Sequence, residues 1–393
     1  MNNFDIFNFN NSLKSKINSL GFEKPTLIQE KSIPLILEGE DVIGLSATGS
    51  GKTIAFGAGA VQNSKSGGGI QVLILTPTRE LAEQVKVAIS QLTNELKVIA
   101  IYGGVSINPQ FDDLKKAEIV VATPGRFKDH LERGTVNTEN IKLVVLDEAD
   151  RMLDMGFVDD IEDILKQVPK DRQTLLFSAT IPPPIEKLAN KYLKSPSKVV
   201  ATRMVDPSKL KQIYYNVRPN QKLSLLVHLL KNDDSDLSMI FCNTRRSVDM
   251  VTQTLKANKV SCTAIHGGFT QNKRSKSLEM FNDRSKGALI CTDVAARGLD
   301  IDDVSHVYNF ELPPDTNSYV HRIGRTARAG KEGMVINLLD DRDHENFGRI
   351  EQSYSEYNIE RVEVPEFERV KVVNPNTKFN RNKSRGFKGR RRR

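Results

Sequence analysis

The sequence predicts an α/β protein built as two tandem domains, each a parallel sheet flanked by helices, with a disordered basic C-terminal tail. Short, unbroken apolar runs alternate with longer helical patterns, as expected for strands covered on both faces. Nearly every run ends in a polar or glycine-containing cluster, and in open parallel sheets ligands bind beyond the carboxyl ends of strands. The 393 residues also exceed one ordinary core, since domains span roughly 100–200 residues.

The first set of runs is DVIGL (41–45), VLILTP (72–77), VIAIYGG (98–104), IVVATPG (119–125), LVVLDEAD (143–150) and TLLFSAT (174–180). The second is IYYNV (213–217), MIFCNT (239–244), TAIHGG (263–268), ALICTD (288–293), VSHVYNF (304–310) and MVINLL (334–339). Repeated strand–helix–strand order implies right-handed crossovers and parallel pairing. Between the sets, TRMVDPSKLKQ (202–212) is polar, contains Pro207 and lacks a helical period, so it reads as a linker. The expected organisation is a first domain over 1–204, a linker over 205–211, a second domain over 212–365 and a tail over 366–393.

Composition narrows the class. No run approaches the roughly 18–20 apolar residues of a membrane helix. The start, MNNFDIFNFNN, has neither a basic n-region nor a long apolar stretch, so no secretion signal is expected. Cys242, Cys262 and Cys291 are odd in number and form no CxxC pair, which speaks against a disulfide framework or zinc cluster. Buried thiols in core strands and a reducing, cytoplasmic location are expected. The net charge of +8 points to a polyanionic partner.

The strongest single motif is SATGSGKT (46–53), after an apolar run and before AFGAGAVQ, a helical segment. Its loop, with Thr48, Gly49, Ser50 and Gly51, turns backbone N–H groups and a helix N-terminus toward phosphates. Lys52 is placed to reach the β- and γ-phosphates and Thr53 to offer a hydroxyl to Mg²⁺. The usual motif has glycine where this chain has Ser46. LVVLDEAD then delivers Asp147 and Glu148 from a buried strand. Asp147 suits Mg²⁺, and Glu148 suits the orientation and deprotonation of water. A nucleoside triphosphate and Mg²⁺ are the expected ligands, and the resemblance described next implies that the nucleotide is ATP.

DEADRMLDMGF (147–157) resembles the signature of the DEAD-box RNA helicases, and motifs in that family's order extend over about residues 4–340. The resemblance implies two RecA-like domains. It also implies an ATPase stimulated by RNA that opens short duplexes or remodels ribonucleoproteins. GFEKPTLIQ (21–29) is similar to the family's adenine-reading segment, with Phe4 as the upstream aromatic. Gln29 has an amide that donates and accepts at once, and Phe22 a face for stacking. YVHRIGRTARAG (319–330) implies arginine fingers at Arg325 and Arg328, with Ala327 where glycine is more usual. His321 and Arg322 are expected to link that segment to SAT and DEAD. Within TDVAARGLD (292–300), Arg297 is expected to help close the cleft and Asp300 to contact ribose or nucleotide. Ser178 and Thr180 are expected to couple hydrolysis to closure.

The same resemblance marks an RNA track: Pro77, Thr78, Arg79, Gly103, Gly104, Thr123, Pro124 and Arg126 in the first domain. In the second it marks Thr244, Arg245, Gly267, Gln271, Arg274, Thr292 and Asp293. Hydroxyls, glycine amides and scattered arginines hold a sugar–phosphate backbone without reading bases, and 2′-OH contacts favour RNA. The last 23 residues hold ten Lys/Arg and no acid, so residues 1–370 carry 47 basic and 49 acidic residues. That tail, with Phe379 and Phe387, reads as disordered and RNA-binding, or else as merely solubilising. Its shortness and the HRIGRTARAG form resemble bacterial, RhlE-like members of the family. Ribosomal or decay-machinery proteins are expected partners and a membrane is not. An ATP-gated RNA clamp or annealing scaffold, and a DNA helicase, stay open as alternatives.

Overall fold

The computed structural model describes residues 3–46, 49–201, 209–232, 236–283, 287–296, 301, 304–327, 331–353 and 358–373. Contacts divide the chain near residue 203 into two compact units. In the first, seven strands form one parallel sheet: β1 (Val42–Leu45), β2 (Val72–Leu75), β3 (Val98–Ile101), β4 (Ile119–Ala122), β5 (Leu143–Asp147), β6 (Gln173–Ser178) and β7 (Ser197–Val200). Their order across the sheet is β3-β4-β2-β5-β6-β1-β7.

Both faces of this sheet are buried, which is why the runs are unbroken. Ile74, Val121 and Val145 point into one core with Phe56 and Phe177, while Leu73, Leu75, Val120, Val144 and Leu146 point into the other. Alternation along each strand feeds two apolar layers. Because every pair is parallel, all the carboxyl ends share one edge.

The second unit repeats the plan with β8 (Leu210–Asn216), β9 (Leu237–Phe241), β10 (Cys262–Ile265), β11 (Gly287–Cys291), β12 (His306–Asn309), β13 (Gly333–Leu339) and β14 (Ile359–Arg361). Their order, β10-β11-β9-β12-β13-β8-β14, matches the first sheet strand for strand, so the expected tandem RecA-like architecture is present. Cys242, Cys262 and Cys291 are buried thiols that form no disulfide, and burial pushes the Cys242 and Cys291 thiols up.

Two boundaries differ from the sequence expectation. The chain is already in β8 at Leu210, inside the stretch read as linker. Beyond β14, residues of the expected tail continue along the second unit. Phe367 and Val370 pack on its core, Val370 N–H donates to Ser224 Oγ (3.2 Å) and Val373 N–H to Thr254 Oγ1 (3.2 Å). Apolar residues inside the segment account for this. Residues 374–393 lie outside the described residues.

Candidate active site

The loop after β1 leads into the helix Lys52–Gln62. Ser46 ties this loop together. Its N–H donates to the Ser178 carbonyl (3.0 Å), its hydroxyl accepts from Ser50 Oγ (3.0 Å), and its carbonyl accepts from Lys52 Nζ (3.3 Å). The residue that departs from the usual glycine is therefore a working part of the loop. Gly49 and Gly51 have φ of 77° and 91°, in the region that favours glycine. A side chain at Gly51 would also collide with the Gln29 amide. Lys52 is buried and Thr53 half-buried at the helix N-terminus.

β5 delivers Asp147 and Glu148 to the same edge, both buried. Glu148 N–H donates to Asp147 Oδ1 (3.0 Å). Glu148 itself has a left-handed backbone, φ 54° and ψ 50°, which costs a non-glycine residue about 1–2 kcal/mol. Its carboxylate accepts from Arg151 NH1 at 2.7 Å, with both side chains almost free of solvent. Burial pushes the Asp147 carboxyl up to about 6, against the pull of Lys52. A carboxylate so poorly compensated fits a cation, whose charge would offset its desolvation.

Asp150 is the junction with the end of β6. Its N–H donates to Ser178 Oγ (3.1 Å), and its Oδ2 accepts from Thr180 N–H (3.0 Å) and Thr180 Oγ1 (3.1 Å). Sequence reasoning passed over Asp150 and Arg151, although both stand in the DEADR string that drew attention to their neighbours.

The residues expected to read adenine are engaged by the chain itself. Gln29 Oε1 accepts from Thr26 N–H (2.9 Å), closing a capping box on the helix Leu27–Leu37, and Gln29 Nε2 donates to the Gly51 carbonyl (3.0 Å). Phe22 is half-buried. Phe4 is only 1% exposed, packed between Phe7 (ring centroids 5.8 Å apart) and Phe22 (6.2 Å). Phe4 is therefore a core residue that backs Phe22, not an open face for a base.

The two units carry matching arrangements at their carboxyl edges. After β2 and Pro77, Thr78 caps the helix Arg79–Ser90 by accepting from Leu81 N–H (3.2 Å), and the Arg79 guanidinium lies over Gly104. Gly104 has φ 77° and no room for a side chain, while its neighbour Gly103 faces open space. After β9, Thr244 caps the helix Arg245–Ala257 by accepting from Ser247 N–H (3.0 Å), and Arg245 lies against Gly267. Thr123 and Pro124 begin the helix Pro124–Glu132, where proline suits the first turn. Arg126 is tied down by Gln110 Oε1 (3.0 Å) and the Val105 carbonyl (3.0 Å).

In the second unit, Thr292 is buried and Asp293 is paired with Arg322. Arg322, expected to reach SAT and DEAD, is 1% exposed and places its whole guanidinium within its own unit. His321 is half-buried, Arg325 is buried with NH1 toward the Ile301 carbonyl (3.5 Å), and Arg274 is half-buried on the helix Gln271–Asn282. Thr48, Arg297, Asp300, Arg328 and the side chain of Gln271 lie outside the described residues.

Comparison with known proteins agrees with this geometry. Residues 26–188 match the DEAD/DEAH box helicase family, and residues 221–330 match the helicase conserved C-terminal domain. The chain is 42% identical over 370 residues to the ATP-dependent RNA helicase CshA of Listeria monocytogenes, covering 93% of this chain and 71% of that one. It is 43% identical over 367 residues to the DEAD-box ATP-dependent RNA helicase CshA of Bacillus subtilis, covering 92% and 74%. Among solved structures, S. cerevisiae Dbp5 bound to RNA and ADP BeF3 is similar at TM-score 0.83 and 30% identity, covering 93% of this chain and 96% of that one. A DEAD box protein from Methanococcus jannaschii is 41% identical at TM-score 0.55, covering 92% and 99%. With its phosphate loop, its DEAD turn and relatives matched along nearly its whole length, this chain belongs to the DEAD-box helicase family.

Proposed function

We infer that this chain is an ATP-dependent RNA helicase whose ATP hydrolysis is stimulated by RNA and coupled to local opening of short duplexes. The observation that carries this is one sheet edge bearing the phosphate loop, the buried Asp147–Glu148 pair and Asp150 bound to Ser178 and Thr180. Lys52 meets the β- and γ-phosphates, and the amides of the loop and helix N-terminus face them. Glu148 orients the attacking water and takes its proton on a carboxylate oxygen, while Arg151 and the left-handed turn hold that carboxylate in place. Asp147 and Thr53 would hold Mg²⁺, which supplies positive charge to the phosphates when bound. Phe22 and Gln29 serve the adenine, and Gln29 does so by giving up or sharing bonds it makes within the chain.

Arg325 and Arg328 are read as the arginine fingers, a contribution of ~10³–10⁵ in other phosphoryl-transfer enzymes. The matched Thr–Arg pairs set over glycine turns support a grip on the RNA backbone in both units. The relatives' shared name favours a CshA-like over an RhlE-like subgroup. Ribosomal or decay-machinery partners and a cytoplasmic location belong to the same proposal. Among the described residues no helix is long and apolar enough to cross a membrane.

The test is Lys52→Ala. RNA-stimulated ATPase should vanish while the thermal unfolding stays cooperative, and normal turnover would sink the site assignment. Duplex unwinding by Glu148→Gln at the wild-type multiple-turnover rate would favour an ATP-gated clamp. Equal stimulation by DNA and RNA would favour a DNA helicase.

A further inference from the structure

We propose that Gln110 is a positioning residue for RNA in the first unit: its amide, braced by His130, holds the Arg126 guanidinium against the Tyr102–Gly104 turn, so that both meet the RNA backbone already set. This rests on the RNA-contact reading of Gly103, Gly104 and Arg126 above.

The amide joins two elements. Gln110 lies on the short helix Asn108–Leu114 and is 7% exposed. Its Nε2 donates to the Tyr102 carbonyl (3.2 Å), immediately before Gly103 and Gly104. Its Oε1 accepts from Arg126 NH1 (3.0 Å) and meets His130 Nε2 (3.2 Å). Arg126 and His130 stand four apart on the helix Pro124–Glu132, so one face brings both to the same amide. Arg126 NH2 donates to the Val105 carbonyl (3.0 Å), just after the glycine turn. Tyr102 is pinned at its far end, where its hydroxyl donates to Glu83 Oε1 (2.8 Å).

The donors settle where the protons are. A guanidinium has no acceptor, so the amide oxygen must face Arg126, and that oxygen cannot donate to an imidazole. His130 therefore carries its proton on Nε2, and its Nδ1 accepts from Thr135 Oγ1 (2.8 Å). The ring is fully buried and stands edge-on to Phe111, with centroids 5.6 Å apart. Burial, helped by Arg126, pushes the His130 ring down to about 4, so it stays a neutral donor.

Charge makes the arrangement more than a cross-link. The Arg126 side chain is 11% exposed, and its carboxylate neighbour Asp129 is 3.9 Å from Nε and committed to Arg133 at 2.5 Å. Burial pulls the Arg126 guanidinium below its usual range, a desolvation cost that a phosphate would offset. A carboxylate in place of the amide would hold Arg126 but cancel its charge; the amide holds it and leaves the charge for an anion. Beside it, Gly103 faces open space, where a sugar–phosphate backbone can come close.

The experiment uses the full chain and a short single-stranded RNA. Binding is read by fluorescence anisotropy with a saturating non-hydrolysable ATP analogue, alongside ATPase turnover against RNA concentration and thermal unfolding. Gln110→Met keeps the length of the side chain and removes every amide bond. It should weaken RNA binding about three- to tenfold, the span expected when one ordered, rotamer-rich side chain is set free. The loss should fall on half-saturating RNA more than on maximal turnover. In an Arg126→Ala background the same change should cost about twofold or less, because the two act through one contact. A lower unfolding midpoint with unchanged RNA affinity, a loss confined to maximal turnover, or losses that multiply in full would show that Gln110 only supports the fold. Should Gln110→Met not fold, His130→Phe, which keeps a ring and removes the donor, decides by the same ratio of affinities. If Arg126→Ala leaves RNA affinity and its salt slope unchanged, the RNA-contact reading of Arg126 is itself wrong and the proposal falls with it.

Discussion

Gln29→Glu is a near-isosteric change that separates two roles for one side chain. The introduced carboxylate can still accept from Thr26 N–H, where Gln29 Oε1 does so at 2.9 Å. Its other oxygen cannot donate to the Gly51 carbonyl, where Gln29 Nε2 does so at 3.0 Å, and two acceptors then face each other. The lost bond costs about 1 kcal/mol and the opposed, poorly solvated acceptors about 1–3 more, so the first unit should lose about 2–4 kcal/mol. For a unit of that size the unfolding temperature should drop by about 4–16 °C. The assay is thermal unfolding without nucleotide. The deficit should shrink as pH falls toward about 4, because the opposed carbonyl raises the carboxyl above its unfolded value and a protonated carboxyl regains a donor. An unchanged nucleotide-free midpoint would refute the reasoning and return Gln29 to a purely adenine-reading role.

Asp147→Asn should abolish ATPase yet raise the unfolding temperature of the nucleotide-free protein at pH 8. The folded pKa of Asp147, about 6, lies above its unfolded value. The folded state therefore binds more protons and loses stability as pH rises from about 4 to about 6. The gain in the variant should fade as pH is lowered through that window, and a variant less stable at pH 8 would overturn the assignment. Ending the chain after residue 365 should destabilise the second unit by about 2–4 kcal/mol through loss of the Phe367 and Val370 contacts. Ending it after residue 373 should leave calorimetric stability intact. That shorter deletion removes nine basic residues and should flatten the salt dependence of RNA binding by several units of log–log slope. An unchanged slope would show that the tail makes no RNA contact.

What the sequence disclosed follows how locally each feature is encoded. Twelve strands were legible because both faces are buried and the apolar runs are continuous. β7 and β14 were missed: they are edge strands of four and three residues in which only Val199 is buried, so most of their positions are free to be polar. Lys52, Asp147 and Glu148 were legible because each sits in a contiguous string with its chemistry. Arg322 was seen as a cation but its bonding within the second unit was not, since its acceptors lie 11 to 79 residues away. The Gln29–Gly51 bond, spanning 22 residues, was hidden for the same reason. The burial of Phe4 was hidden because an isolated aromatic carries no sign of which side it faces.

The two sheets show a difference that bears on the proposed nucleotide site. β8 lies between β13 and β14 as β1 lies between β6 and β7, and the helix after each begins with a lysine, Lys222 and Lys52. Their surroundings differ. Lys222 Nζ sits 3.1 Å from Asp340 and 2.7 Å from Asp343, just beyond β13, with Lys222 and Asp340 both nearly solvent-free. The chain supplies its own carboxylates where an anion would otherwise enter. Lys52 Nζ donates to a backbone carbonyl, Ser46, at 3.3 Å, and its nearby carboxylate, Asp147, is itself held toward protonation by burial. A buried ammonium without a full counter-charge is costly, and that cost is relieved when a phosphate arrives. The same fold with a lysine paired to two carboxylates is a closed edge; with one bonded only to a backbone carbonyl among the described contacts, it suits the proposed phosphate site. On the proposed reading, the first unit takes the nucleotide because the chain withholds carboxylates there, since strand order and helix placement are common to both.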